Sequence, residues 1–205
     1  FPITIGYGMT ECGPAIAFDH WQTFRPTSCG RAVDRMEIRI DSPDPFKQVG
    51  EILTKGMNVM DGYYNNPEAS NTVLSPDGWL HTGDLGVLDP DGYLYIKGRS
   101  KSLILGPSGQ NIYPEEIEDL LNAQPYIAES LVIEREGKLV ALVYPDAEAM
   151  KQNKISREAL LKIIHETRKQ INQQIPAYSQ IARIEIHDEE FEKTPKRSIK
   201  RFLYQ

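Results

Sequence analysis

Cysteine is scarce. The 205 residues hold only Cys12 and Cys29, with no CxxC pair and no histidine at zinc spacing. That excludes a zinc ribbon and a disulfide-stapled scaffold, and leaves two reduced thiols in a protein expected to be cytoplasmic. Long apolar runs are also missing. The longest, residues 139–144, is far short of the roughly 20 residues a membrane span needs, so no transmembrane segment is expected. No signal-peptide pattern is visible, and the chain opens Phe1-Pro2-Ile3 without a Met. Positive charge is in deficit: 23 Lys and Arg against 29 Asp and Glu give a net charge of −6. Neutralising phosphate backbones needs a basic surface, so nucleic acid is not expected as a partner. There is no internal repeat, no low-complexity segment and no GxxxxGK[ST] string.

What is present reads as two textures. The first hundred residues are short strands and turns. Glu37-Ile38-Arg39-Ile40 alternates with period two, and residues 50–56 form a short strand bounded by glycines. Ser75-Pro76-Asp77-Gly78 and Asp89-Pro90-Asp91-Gly92 share one turn recipe, in which Pro presets φ and Gly accepts positive φ. The second of these predicts a hairpin over residues 86–97. Near residue 100 a polar stretch, Gly98-Arg99-Ser100-Lys101-Ser102, predicts a joint between bodies. Beyond it the pattern predicts β-β-α-β-β-α-β. One helix begins at Tyr113-Pro114, with acidic residues at the positive end of its dipole. A second, capped by Ser156, reaches about residue 173 with Leu160, Leu161, Ile164, Thr167 and Ile171 inward and Arg168 flanking. The expected fold class is therefore mixed, a mainly β subdomain over residues 1–99 followed by a small α+β domain over residues 100–205.

Four segments could carry chemistry. Gly6-Tyr7-Gly8-Met9-Thr10-Glu11 lacks the third glycine of a dinucleotide fingerprint. It still combines closely approachable amides, a flat ring, a hydroxyl and a carboxylate, which suit a base, a phosphate and a divalent cation. Alone, such a string is more often a turn. In Trp79-Leu80-His81-Thr82-Gly83-Asp84 a carboxylate follows a glycine and can accept two ribose hydroxyls; alone, it is a solvated turn. Gly98-Arg99 is a third candidate, against a surface arginine. In the tail, five of the nine residues from Lys193 to Arg201 are basic, which fits either phosphate binding or a solvated tail.

Order and content together say more. Tyr7-Gly8-Met9-Thr10-Glu11 comes first, then Gly50-Glu51-Ile52 with Gly56 and Gly62-Tyr63. Asp77-Gly78-Trp79-Leu80-His81-Thr82-Gly83-Asp84, Gly98-Arg99-Ser100-Lys101, Asn111-Ile112-Tyr113-Pro114-Glu115-Glu116-Ile117-Glu118 and the Lys200 tail follow. This series resembles the acyl/aryl-CoA synthetase, luciferase and peptide-synthetase adenylation superfamily, and within it the AMP-forming long-chain fatty-acid–CoA ligases. The resemblance implies a ligase that activates a carboxylic acid with ATP and Mg²⁺ to an acyl-adenylate and passes the acyl group to coenzyme A or a carrier-protein thiol. It implies that Tyr7 flanks adenine, with Gly8 beside it, that Thr10 contacts phosphate, and that Glu11 holds Mg²⁺. Asp84, helped by Arg99, would bind the ribose. Lys101 would be the hinge of a mobile C-terminal domain, Gly106 and Gly109 would line the pantetheine path, and Lys200 would reach the carboxylate and α-phosphate during adenylation.

Two departures stand out. The family's tail usually has Gly before that lysine, whereas Ile199 stands here, which makes Lys196 a rival. The family's Ser/Thr/Gly-rich phosphate loop and acyl pocket precede its Tyr-Gly-x-Thr-Glu string, and only six residues precede Tyr7. The expectation is a piece of a longer enzyme, inactive alone, whose exposed core edge meets the rest of its own large domain. Two rivals stay open at this point: a carrier-protein-loading enzyme, and a non-catalytic nucleotide-binding or interaction module of the same fold. Peripheral membrane contact also stays open.

Overall fold

The turn chemistry of the first hundred residues closes antiparallel pairs. The computed structural model describes residues 2–195 and 197–205. It divides between Lys101 and Ser102 into two units. In the first, β1 (Gly6–Gly8), β2 (Ala15–Phe18) and β3 (Arg31–Ala32) form one antiparallel sheet. An antiparallel meander follows, made of β4 (Met36–Asp41), β5 (Gly50–Gly56), β6 (Leu80–Leu88) and β7 (Leu94–Arg99). The β6–β7 turn has the expected chemistry. Gly92 takes φ +82°, and Asp89 Oδ1 accepts the amides of Asp91 and Tyr93, each at 2.9 Å. Ile16, Ile40, Ile52, Leu80 and Leu94 pack with Tyr7, Cys12 and Met36 into the core of this unit. The sequence pattern missed α1 (Pro67–Val73), which buries no residue and so has no apolar stripe. Its signals are local: Pro67 in the first turn, and an Asn66 side chain that accepts the Ala69 amide at 3.0 Å.

The second unit opens with a small hairpin, β8 (Ile104–Leu105) and β9 (Asn111–Ile112), leading into α2 (Pro114–Asn122). A three-stranded sheet follows, made of β10 (Ile127–Arg135), β11 (Lys138–Pro145) and β12 (Ile181–Ile186). Strands β10 and β11 pair antiparallel across Glu136 and Gly137, at φ +54° and +70°, the two left-handed residues a tight hairpin needs. Strands β11 and β12 run parallel, so the chain crosses back through α3 (Ala147–Gln152) and α4 (Arg157–Asn172). Short α3 was not expected; Asp146 caps it by accepting the Ala149 amide at 2.9 Å.

In α4, Leu160, Ile164, Thr167 and Ile171 are buried as expected, but Leu161 is 53% exposed. The helix covers the sheet along a narrow stripe, and Leu161 falls outside it. Val132, Leu139 and Ala141 face the α2/α4 side. Leu131, Ile133, Val140 and Leu142 face the other side, where Phe191 is buried and Ile199 and Tyr204 pack. Both faces of the sheet are thus covered, which explains why residues 139–144 are a continuous apolar run. His187 stacks on Phe191 at 4.8 Å, and Tyr204 meets both rings edge-on. The chain's tail is in this way part of the second unit's core.

Candidate nucleotide site and the basic tail

The first unit brings together three candidates that lie far apart in sequence. Tyr7, on β1, is buried and donates its phenol to Asp84 Oδ2 at 2.7 Å. Asp84 Oδ1 forms an ion pair with Arg99 Nε at 2.9 Å, and the two residues face each other in the β6–β7 register. Burial, then the Asp84 carboxylate, push the Tyr7 phenol well above its usual range, so it stays a donor. Asp84 is largely shielded, while Arg99 keeps 61% of its side chain in solvent. The cluster therefore offers a fixed carboxylate next to an accessible guanidinium.

The backbone before Asp84 is held by groups to which the sequence assigned no role. Gly83 takes φ +73°, and its amide donates to Glu51 Oε1 at 2.9 Å. Glu51 Oε2 lies 2.9 Å from His81 Nδ1, and His81 Nε2 lies 3.1 Å from Ser75 Oγ. Thr82 Oγ1 accepts the Asp84 amide at 3.1 Å and donates to the Ile52 carbonyl at 2.7 Å. Glu51 and His81 are positioning residues: they pin the left-handed turn from which Asp84 projects. No pattern along the chain marks them as partners: in the β5–β6 register His81 lies opposite Leu53 and Glu51 opposite Leu85, and the two side chains meet on the diagonal.

The other nucleotide candidates flank β1. A Cβ at Gly8 would stand 2.0 Å from the Pro14 carbonyl oxygen, so only glycine fits where Met9 donates to that same oxygen at 2.8 Å. Thr10 and Glu11 form the 3₁₀ turn Thr10–Cys12, with Thr10 exposed and Glu11 half-buried. Glu11 Oε1 accepts the Tyr63 hydroxyl at 3.0 Å. Among the described residues no group of three or more His, Cys, Asp or Glu could hold a metal ion. A lone oriented carboxylate still fits Mg²⁺, which is commonly held by one or two carboxylates plus substrate phosphates and water.

The remaining candidates lie at the joint and in the second unit. Lys101 is exposed within the single 3₁₀ turn Ser100–Ser102, where the two units meet in sequence. Gly106 and Gly109 shape the β8–β9 turn. Gly109 takes φ +81° and donates its amide to the Gly106 carbonyl at 2.9 Å. A cavity of about 430 Å³ lies against this hairpin, with Ile104, Gly106, Gln110 and Tyr178 among its walls; Gly109 lies outside its lining. Lys200 is half-buried, its Nζ 3.2 Å from Glu192 Oε2. Lys196 lies outside the described residues. The left-handed turn of the tail is at Arg197, φ +63°, not at Ile199 next to Lys200.

The residue following Lys200 does structural work that sequence reasoning missed. Arg201 pairs with Glu118, which is 8% exposed and also accepts the Val132 amide at 2.6 Å. Arg201 further donates to the Val132 carbonyl at 3.3 Å and lies 3.5 Å from Glu115. Burial raises the Glu118 carboxyl above its ordinary range, against the lowering effect of the guanidinium. This pair clamps the tail onto α2 and β10.

Comparison with known proteins adds to this geometry. Residues 1–64 match the AMP-binding enzyme family, and residues 101–204 match the AMP-binding enzyme C-terminal domain. A putative acyl-CoA synthetase, YngI, of Bacillus subtilis (strain 168) is 41% identical over 64% of this chain and 25% of its own length. The long-chain-fatty-acid–CoA ligase ACSBG2 of Gallus gallus is 37% identical over 69% of this chain and 19% of its own. The structure of O-succinylbenzoate coenzyme A synthetase (MenE) from Bacillus subtilis, in complex with ATP and magnesium ion, superposes with a TM-score of 0.79. It is 30% identical and covers 98% of this chain and 41% of that one. The chain thus spans between a fifth and two fifths of the length of these relatives. Among the described residues no helix is long and apolar enough to cross a membrane.

Proposed function

The chain belongs to the AMP-binding enzyme family, and from that premise we propose that it is part of an AMP-forming acid–CoA ligase working through an acyl-adenylate. The observation that carries this reading is the convergence of Tyr7, Asp84 and Arg99. A carboxylate fixed from both sides, with an accessible guanidinium alongside, is what a ribose diol and the phosphate beyond it require. In this reading Asp84 accepts the ribose hydroxyls and Arg99 supports the same sugar. Tyr7, whose hydroxyl is tied to Asp84, sets the wall beside the base. Gly8 lets the backbone come close, and Thr10 donates to a phosphate oxygen. Glu11 would hold Mg²⁺, whose charge neutralises the polyphosphate when bound. The tail supplies a cation, with Lys200 as its carrier, to the carboxylate and α-phosphate as charge develops there.

The same reading makes Lys101 the hinge and assigns the thiol step to coenzyme A, with Gly106 and Gly109 shaping the approach of its pantetheine. The acid is proposed to be a long-chain fatty acid, which the similarity to the Gallus gallus ligase supports. The site of action is proposed to be the cytoplasm.

The test is Asp84→Asn in the full-length protein, assayed by acid-dependent ATP–pyrophosphate exchange with ATP and with 2′,3′-dideoxy-ATP. Losing a charged acceptor to hydroxyls costs about 1.5–3 kcal/mol. KM for ATP should therefore rise by roughly 10- to 150-fold, while KM for the dideoxy analogue moves little. An unchanged preference between the two nucleotides refutes the ribose assignment.

A further inference from the structure

We propose that Tyr63 is a positioning residue of the cation site: its phenol holds one oxygen of the Glu11 carboxylate and leaves the other for the metal ion that accompanies the nucleotide. The inference rests on the reading above in which Glu11 holds Mg²⁺, and it adds the group that orients Glu11.

Glu11 sits in the short 3₁₀ turn Thr10–Cys12, which has no side-chain cap of its own. Its ties come from far along the chain. The Met60 amide donates to the Glu11 carbonyl at 2.8 Å, and the Tyr63 hydroxyl, 52 residues away, donates to Glu11 Oε1 at 3.0 Å. The loop between β5 and α1 thus holds both the backbone and the side chain of Glu11. Burial, then the Glu11 carboxylate, raise the Tyr63 phenol above its ordinary range, so it remains a donor. Among the described residues Glu11 Oε2 has no hydrogen-bond or ion-pair partner.

Which partner orients the other follows from how each is anchored. Tyr63 is fastened independently of Glu11. Its amide donates to Ser70 Oγ at 2.8 Å, Ser70 Oγ donates to the Asn66 carbonyl at 2.8 Å, and the Asn66 amide donates back to the Tyr63 carbonyl at 3.2 Å. Gly62, at φ +149°, lets the loop pass close to α1; a Cβ there would stand 3.0 Å from Ser70 Oγ. The loop is held to β2 as well, since Asn58 Nδ2 donates to the Ala15 carbonyl at 2.8 Å. The Glu11 side chain, by contrast, has one described hydrogen bond, the one from Tyr63. A free glutamate side chain loses rotamer freedom when it takes a metal ion. A charge-assisted hydrogen bond from a fixed phenol removes part of that loss in advance. The outcome suits Mg²⁺, which demands near-ideal octahedral positions and is held by one or two carboxylates beside phosphate and water. Outer partners that orient a ligating carboxylate typically change metal affinity by about 10- to 100-fold.

The test uses the full-length protein with Tyr63→Phe, Glu11→Gln and the double variant. Dissociation of Mn²⁺, standing in for Mg²⁺, from the complex with α,β-methylene-ATP is followed by electron paramagnetic resonance. Tyr63→Phe keeps the ring and removes only the donor, and thermal melting checks that the fold is kept. Mn²⁺ should bind about 10- to 100-fold more weakly to this variant, while binding of the nucleotide in EDTA stays as in the parent. A merely structural role would instead lower the melting temperature or the metal-free nucleotide affinity and leave Mn²⁺ binding alone; that result overturns the proposal. In the double variant Tyr63→Phe should add nothing to the loss from Glu11→Gln, because the hydrogen bond acts through that carboxylate. Full additivity also overturns it. Unchanged Mn²⁺ binding in Glu11→Gln removes the metal assignment of Glu11 and this inference with it, whereas weakened binding in Glu11→Gln but not in Tyr63→Phe sinks this inference alone.

Discussion

Replacing Arg201 by methionine should expose how much of the second unit rests on one buried pair. Glu118 is 8% exposed and keeps, besides Arg201, the Val132 amide at 2.6 Å. Methionine preserves much of the arginine's volume but leaves a buried carboxylate with the Val132 amide as its remaining described donor. Breaking a buried ion pair on one side costs about 3–5 kcal/mol while the remaining charge persists. The carboxylate has an escape, which is to take up a proton. Burial already raises the Glu118 carboxyl, and losing the guanidinium raises it further. The folded variant then binds more protons than the unfolded chain, so its stability falls as pH rises from the ordinary glutamate range, about 4.3, through the raised folded value. The destabilisation should therefore be larger at pH 8 than at pH 5, by about 1.4 kcal/mol for each unit of additional shift inside that window. Adding Glu118→Gln should recover most of the loss, because an amide oxygen still accepts the Val132 amide and no charge remains. Urea unfolding followed by far-UV circular dichroism, with amide exchange read on β10, measures this. Trp21 and Trp79 both lie in the first unit, so their fluorescence serves as an internal control that should not move. A penalty below about 1 kcal/mol at pH 8, no dependence on pH, or a double variant as unstable as the single one would refute the reasoning.

Three further outcomes are expected. Gly8→Ala places a methyl carbon 2.0 Å from the Pro14 oxygen, so the β1–β2 turn must shift at a cost of about 1–3 kcal/mol; a melting temperature equal to the parent's argues against this close approach. Asp19 is held down to about 2, first by the Thr23 hydroxyl and against the opposing effect of its own burial, with the Tyr93 phenol, the His20 amide and Arg31 lowering it further. Its stabilisation, about 2 kcal/mol, is present above the unfolded carboxylate range and lost as pH falls from about 4 to about 2; acid unfolding of Asp19→Asn, read by tryptophan fluorescence, should be flatter across that window. Lys101→Pro in the full-length protein should slow thioester formation more than adenylation if the backbone at Lys101 absorbs a domain rotation; equal loss of both half-reactions, compared in single-turnover assays, speaks against a hinge there.

Local chemistry by itself determined a great deal here. The Asp89-Pro90-Asp91-Gly92 turn, the Ser156 cap and the Tyr113-Pro114 helix start specify elements within a few residues of where they form, because each depends only on neighbours along the chain. The alternation at residues 37–40 and the apolar run at residues 139–144 likewise encode one covered face and two. The weak spots are elements without a stripe, such as α1, and stripes that the sheet covers only in part, as at Leu161. The candidate site is a different kind of object. Tyr7, Asp84 and Arg99 can be singled out one at a time, each with a bland alternative. That one carboxylate serves both partners is decided by the β6–β7 register for Arg99, 15 residues away, and by the meeting of two separate sheets for Tyr7, 77 residues away. Glu51 under His81 and Glu118 under Arg201 were invisible as partners for the same reason. So was the backbone turn at Arg197, since handedness there is set by the Lys193–Ile199 bridge and not by a glycine. Propensity and periodicity are read along the chain, whereas buried charge pairs and strained turns exist only where folding brings distant residues together and leaves them no other partner.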